Sequence, residues 1–265
     1  MPPGERLTAA LQGGGDGGLP ALVPYVTAGF PRRDDTVEVL RAAQDAGCAA
    51  AEIGIPFSDP LADGPSIQRA GWRALSNGMT AGLAIEQAAA ARAAGVTLPL
   101  VFMTYLNPVL SYGVDAFCAA SAAAGVDGII VPDLPADEAG DVREVAAAHG
   151  LALIPLVAPT TPDERIDRAC RGARGFIYCV SVTGTTGART EIAAEAFELL
   201  DRVRAATALP RALGFGLSRH EHLEALRGRC EAAVVGSALL DAMWSHPGGG
   251  AAAAATFLRD MRRAA

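Results

Sequence analysis

The stretch Ala50-Ala51-Glu52-Ile53-Gly54-Ile55-Pro56-Phe57-Ser58-Asp59-Pro60-Leu61-Ala62-Asp63-Gly64 sets one carboxylate, Glu52, inside an apolar run and another, Asp63, on the Pro- and Gly-rich loop that follows. Ala49 to Ile53 reads as a buried parallel strand, where an unpaired, ionised Glu52 would cost several kcal/mol. Burial raises its pKa. A carboxyl tuned toward neutrality suits a general acid or base, a role that contributes roughly 10²- to 10⁴-fold in rate. Asp63, on the loop, is expected to stay ionised, and two acids in unlike environments point to acid/base chemistry. The competing reading pairs Glu52 with an arginine such as Arg69 or Arg73 and makes Asp63 a turn or helix-capping residue.

What the chain lacks narrows the chemistry. No lysine occurs in the 265 residues, so all 22 basic residues are arginine and none can form a Schiff base with a carbonyl substrate. His149, His220, His222 and His246 are spaced with no three-ligand zinc cluster among them, and His220-x-His222 reads as a solvated helix face; no metal site is expected. Five cysteines lie far apart without a CxxC and read as reduced core residues. A net charge of −7 and a pI near 5.1, with no run of basic residues, argue against a nucleic-acid or anionic-membrane partner. Residues 1–18 hold no signal-type apolar segment and no run reaches the length of a membrane span, so a cytoplasmic enzyme with a small ligand is expected.

Short apolar runs alternate with Ala-rich stretches of helical period. The candidate strands are Leu22 to Val26, Ala49 to Ile53, Leu100 to Tyr105, Gly128 to Val131, Leu153 to Val157, Phe176 to Val180, Arg211 to Leu213 and Ala232 to Val235. Eight βα units in this length predict an α/β fold, a (β/α)₈ TIM barrel, as one domain over residues 1–265. A short extra helix near Arg6 to Gln12 is expected within a flexible N-terminal segment, 1–18. Thr161-Pro162-Asp163-Glu164 and Ser218-Arg219-His220-Glu221 match the capping box of a helix start. Gly47, Gly95, Gly125 and Gly150 stand where C-terminal cap glycines do. In such a barrel the working face is at the C-terminal ends of the strands, which brings Glu52 and Asp63 to one mouth.

Three glycine-bearing segments follow the last three strands: Thr183 to Ala188, Gly214 to Ser218, and Gly236 to Ala238. Glycine lets backbone approach an anion, and a helix N-terminus offers it free N–H groups, so their joint placement predicts a phosphate site. The polar segment Val182 to Arg189 is also read as a lid.

Together AEIGIPFSDPLADGPSIQRA, VPYVTAGFP, MTYLNP, IIVPDLP, SVTGTTGAR, GFG and VVGSA make the chain resemble the α subunit of tryptophan synthase, from about Leu22 to Leu240. The resemblance implies a carbon–carbon lyase of tryptophan biosynthesis that cleaves indole-3-glycerol phosphate to indole and glyceraldehyde 3-phosphate. It makes Glu52 the acid/base at indole C3, Asp63 the partner of the indole N–H, Tyr178 a catalytic neighbour and Thr186 a lid residue that orients the aspartate. Tyr25, Met103, Tyr105, Ile130, Leu156 and Phe215 fall where the family lines its indole pocket, and Gly187, Gly216, Gly236 and Ser237 where it holds phosphate. Val182 and Thr183 depart from the Arg and Ala that some relatives carry in the lid.

The resemblance also implies a β-subunit partner in an α2β2 heterotetramer, with pyridoxal phosphate in that subunit and no cofactor in this chain. Pro56 to Asp59 and Leu106 to Pro108 correspond to partner-facing loops. The chemistry agrees with the missing lysine, because indole protonated at C3 supplies its own electron sink. A stand-alone lyase releasing free indole, an isomerase or epimerase of a sugar phosphate, and a silent activating subunit are the alternatives.

Overall fold

A computed structural model describes residues 4–13, 15, 17–181, 192–214, 216–246 and 249–263 of the chain. The strands are β1 (Ala21–Thr27), β2 (Ala51–Gly54), β3 (Leu100–Met103), β4 (Gly128–Ile130), β5 (Ala152–Ile154), β6 (Leu156–Val157), β7 (Ile177–Val180), β8 (Arg211–Gly214) and β9 (Ala232–Val235). They pair in parallel in the order β5-β4-β3-β2-β1-β9-β8-β7-β6. Burial on both faces explains why these segments read as continuous apolar runs rather than alternating ones.

The two ends of that order, β5 and β6, are separated in the chain by Pro155 alone, so the sheet returns to its starting strand and closes as a barrel. The run expected as one strand, Leu153 to Val157, is divided because proline has no N–H to give to the ladder. Its carbonyl still accepts the Tyr178 N–H at 3.0 Å, which joins the two halves of the sheet.

Around the strands lie α1 (Glu5–Gly13), α2 (Thr36–Asp45), α3 (Pro65–Ser76), α4 (Ala81–Ala93), α5 (Leu106–Tyr112), α6 (Val114–Ala123), α7 (Gly140–Ala148), α8 (Asp163–Cys170), α9 (Ala194–Ala206), α10 (His220–Ala225), α11 (Ser237–Ser245) and α12 (Gly250–Arg262). Helix α9 shows the pattern that seats them: Ala196, Leu199, Leu200 and Val203 form one apolar stripe against the sheet. Gly47, Gly95, Gly125 and Gly150 all have positive φ, as expected of residues that end a helix in the left-handed region. Helix α1 packs Leu7 and Leu11 into the core. Thr8 Oγ1 donates to the Gly175 carbonyl at 2.7 Å, just before β7 begins, so α1 covers the end where strands start.

Several local expectations are corrected. Helix α8 begins at Asp163 and α10 at His220, and neither has a side-chain cap. Thr161 Oγ1 instead accepts from Ala158 N in a tight turn, and the Ser218 N–H goes to His222 Nδ1. His222 is buried, not solvated, because α10 turns that face inward. Leu106 to Pro108 is the first turn of α5 rather than a loop; Pro108 is tolerated there because first-turn amides have no helical partner. All five cysteines are free and buried.

Candidate active site

Glu52 is the second residue of β2 and pairs in register with Tyr25 on β1 and Val101 on β3. Its side chain is fully buried, and neither carboxyl oxygen has a hydrogen-bond partner among the described residues. Burial pushes its carboxyl from 4.5 up to about 8. With full burial and no donor among the described residues to stabilise the anion, the neutral acid is the stable form at neutral pH. The arginines that could have paired with it are engaged elsewhere: Arg69 binds Asp241 at 2.6 Å, and Arg73 Nε reaches the Pro31 carbonyl at 3.5 Å.

Asp63 lies on the loop between β2 and α3. It does not cap α3, whose N-cap is Gly64 with no side-chain bond. Partial burial raises its carboxyl to about 6, opposed by a hydrogen bond from the Tyr105 hydroxyl. That hydroxyl also accepts the Ala62 N–H at 3.0 Å, so Tyr105 ties the loop to the start of α5. Asp63 is thus largely ionised at pH 7 while Glu52 is largely neutral.

Two tyrosines enter the barrel from either side. A Cβ at Gly54, the last residue of β2, would overlap the Tyr25 hydroxyl, and one at Gly214, the last residue of β8, would overlap that of Tyr178. The glycines therefore make room for the rings. Burial and the nearby charges of Glu52 and Asp63 push both phenols well above their usual range, so both remain protonated donors.

Above them opens a cavity of about 140 Å³ lined by Tyr25, Met103, Tyr178, Val234, Ser66 and Ile67 of α3, Gly216, Leu217 and Ser218 after β8, and Gly236, Ser237, Ala238 and Asp241. One wall is apolar and aromatic. The other is backbone and hydroxyl: Gly216 has φ +84°, and Gly236 is the N-cap of α11, whose first-turn amides have no helical acceptor. A helix start beside a glycine loop suits an anion. Gly236 also lets α11 begin against Tyr25, whose Cβ would lie 3.3 Å from an added Cβ.

Of the residues singled out in the sequence, Tyr25, Met103, Tyr178, Gly216, Gly236 and Ser237 line this cavity. Tyr105 is not part of that wall but hydrogen-bonds Asp63. Ile130 and Leu156 stand in register with Met103 and Tyr178 but do not form its wall. Thr186, Gly187, Phe215 and the proposed lid Val182 to Arg189 lie outside the described residues. Sequence reasoning missed Ser66, Ile67, Val234 and Asp241 as lining residues, whereas Leu217 and Ser218 belong to the glycine-bearing segment Gly214 to Ser218 read as phosphate-binding. Ser66 follows Asp63 inside the quoted motif, whereas Asp241 carries no signal beyond its place on a helix. Among the described residues no group of three or more His, Cys, Asp or Glu is arranged to hold a metal ion, and no helix is long and apolar enough to cross a membrane.

A family model described as tryptophan synthase alpha chain matches residues 16–263. The tryptophan synthase alpha chain of Chloroflexus aurantiacus is 50% identical over 227 residues, which cover 86% of this chain and 85% of that one. That of Roseiflexus castenholzii is 48% identical over 246 residues, covering 92% and 94%. Among solved structures, tryptophan synthase subunit alpha from Legionella pneumophila superposes with a TM-score of 0.88 at 32% identity, covering 99% of this chain and 97% of that one. A chain of the tryptophan synthase a2b2 complex from Pyrococcus furiosus gives 0.86 at 39% identity, covering 91% and 97%.

Proposed function

The chain belongs to the tryptophan synthase alpha chain family, and we propose that Glu52 and Asp63 are the acid/base pair of its reaction. That reaction is the cleavage of indole-3-glycerol phosphate to indole and glyceraldehyde 3-phosphate, in partnership with a β subunit in an α2β2 assembly. The observation that carries the residue assignment is the buried Glu52, unpartnered among the described residues, together with a largely ionised Asp63, both close enough to Tyr25 to act on its phenol.

Neutral Glu52 gives its proton to indole C3, and the ring becomes an iminium whose positive N–H faces the Asp63 carboxylate. The bond from C3 to the side-chain carbon then breaks. Its electron pair returns to the ring nitrogen, and the hydroxyl on that carbon loses its proton as the aldehyde forms. Glu52, now an anion without a donor, is the strongest local base for that proton and returns to its neutral state. Proton count and charge balance over the cycle. Tyr178 and Tyr25, held protonated, donate toward the reacting atoms. Gly216, Gly236 and Ser237 receive the phosphate, while Met103 packs on the indole; Thr186, Gly187 and Phe215, to which the family resemblance gives lid, phosphate and indole roles, lie outside the described residues.

All of these steps use this chain's own side chains, with pyridoxal phosphate belonging to the β subunit. Residues 1–265 act as one cytoplasmic barrel unit. Indole release by the purified chain, alone and with a β subunit, tests the reading against Glu52→Gln. Loss of release in the variant with retained ligand binding is expected, and near-normal turnover would overturn the assignment. Activity unchanged by the β subunit would favour the stand-alone lyase.

A further inference from the structure

Helix α3, which begins two residues after Asp63, lends Ser66 and Ile67 to the cavity, and α11 begins at its glycine-flanked anion end, so two different helices wall the cavity. Those helices meet at one carboxylate. Asp241, on α11, accepts from Ser66 Oγ at 2.8 Å through one oxygen and from Arg69 Nη2 at 2.6 Å through the other, both donors coming from α3. The Arg69 guanidinium lies 4.8 Å from the centre of the Trp244 ring, one turn further along α11. Trp244 stacks on buried Phe30, which follows β1, with ring centres 5.5 Å apart. Three segments are fastened around one acid.

Asp241 also lines the cavity itself. A bare carboxylate there would repel a phosphate ester, and Arg69 neutralises it where it stands. We propose that Asp241 is a positioning residue: clasped by Ser66 and Arg69, it fixes the spacing between the acid-bearing segment after β2 and the phosphate-binding start of α11. The inference rests on the functional reading of this cavity. A ligand that spans both ends gains from having the ends correctly spaced, whereas a ligand that occupies one end gains nothing.

This difference separates positioning from plain stabilisation. Asp241 and Arg69 are each about half exposed (49% and 49%), so breaking their pair disturbs the fold little. Binding of three probes to the full chain is measured by calorimetry: indole, inorganic phosphate, and indole-3-propanol phosphate, which bridges both ends and lacks the hydroxyls needed for cleavage. In Asp241→Asn the bridging ligand should lose about fivefold in affinity, the order of one such pair, while indole and phosphate stay within about twofold. Arg69→Gln should give the same loss for the bridging ligand and additionally weaken phosphate, because Asp241 is then uncompensated.

Equal losses for all three probes in Asp241→Asn, a loss confined to phosphate, or no loss in any overturns the proposal. A wild-type chain that holds the bridging ligand no tighter than the fragments overturns the functional reading and the clasp together. Tight wild-type binding matched by Asp241→Asn overturns the clasp alone.

Discussion

Tyr178 on β7 lies over Gly214 on β8 so closely that any side chain at 214 would occupy the place of the tyrosine hydroxyl. Gly214 has no positive φ, so backbone conformation does not demand glycine there; the tyrosine does. Gly214→Ala should cost about 1–3 kcal/mol through overpacking and, by displacing Tyr178 about an ångström, lower kcat by up to about 100-fold. Gly140→Ala, which meets nothing within 4 Å, is the matched control and should leave both properties unchanged. Thermal unfolding and indole release on the two variants check this; a fully active Gly214→Ala would remove Tyr178 from the site.

Turnover should be bell-shaped in pH. Catalysis needs Asp63 ionised, hence pH above about 6, and Glu52 neutral, hence pH below about 8. The limbs of kcat/KM report the free enzyme, so they should fall near those two values with an optimum near 7. Asp63→Asn should cut the rate nearly as deeply as Glu52→Gln, and its residual activity should lack the acidic limb. A flat profile between pH 5 and 9 would contradict the division of roles.

The barrel was legible because strands buried on both faces must be continuous apolar runs, and the glycines after helices mark where each turn reverses. Local competition was not legible. Pro155 looks like any residue of an apolar run until the missing N–H divides the strand between two neighbours. Helix α5 carries a proline that reads as a loop until its place in the first turn is known. Thr161 and Ser218 have the residue types of caps, but tight turns and His222 use the groups that would have capped. Glu52 announced itself, being an acid where every neighbour is apolar. Asp63 was read as a loop carboxylate that stays ionised, and only its contact with Tyr105, distant in sequence, shows what holds it. Asp241 could not be read at all, since its importance comes from facing Ser66 and Arg69 across two helices.

The β subunit should dock beside the loop that carries Asp63. Leu61 on that loop is 94% exposed, and Trp72 on α3 is 67% exposed beside a groove formed by Phe57, Pro60, Pro65 and Leu75. Leu110 and Tyr112 on α5 are exposed as well. Large apolar groups left in water contribute little to the isolated fold but become anchors in an interface. Trp72→Ala should therefore leave the unfolding free energy of the chain alone within about 0.5 kcal/mol and weaken the complex by about 2 kcal/mol. Titrating indole release against β subunit, beside thermal unfolding of the chain alone, separates the two effects. Unaltered half-saturation would move the interface elsewhere.

Glu52 should also leave a signature in stability, independent of any substrate. Its carboxyl titrates at 4.5 in an unperturbed environment and at about 8 in the folded chain, so the folded state holds a proton that the unfolded chain releases between those values. Stability rises with pH only where the unfolded state binds more protons, and here the native state binds more. The contribution of this residue is therefore fully present below pH 4.5, declines as pH rises, and is lost above about 8, over a span worth on the order of 5 kcal/mol. Glutamine cannot ionise. Glu52→Gln should thus gain on the wild type steadily between pH 5 and 8, with the difference in unfolding free energy levelling beyond that, whatever the fixed cost of seating an amide. Urea unfolding of both proteins across that range measures the difference directly. A pH-independent difference would mean that Glu52 is already ionised in the folded chain, which is incompatible with its acting as the proton donor to carbon.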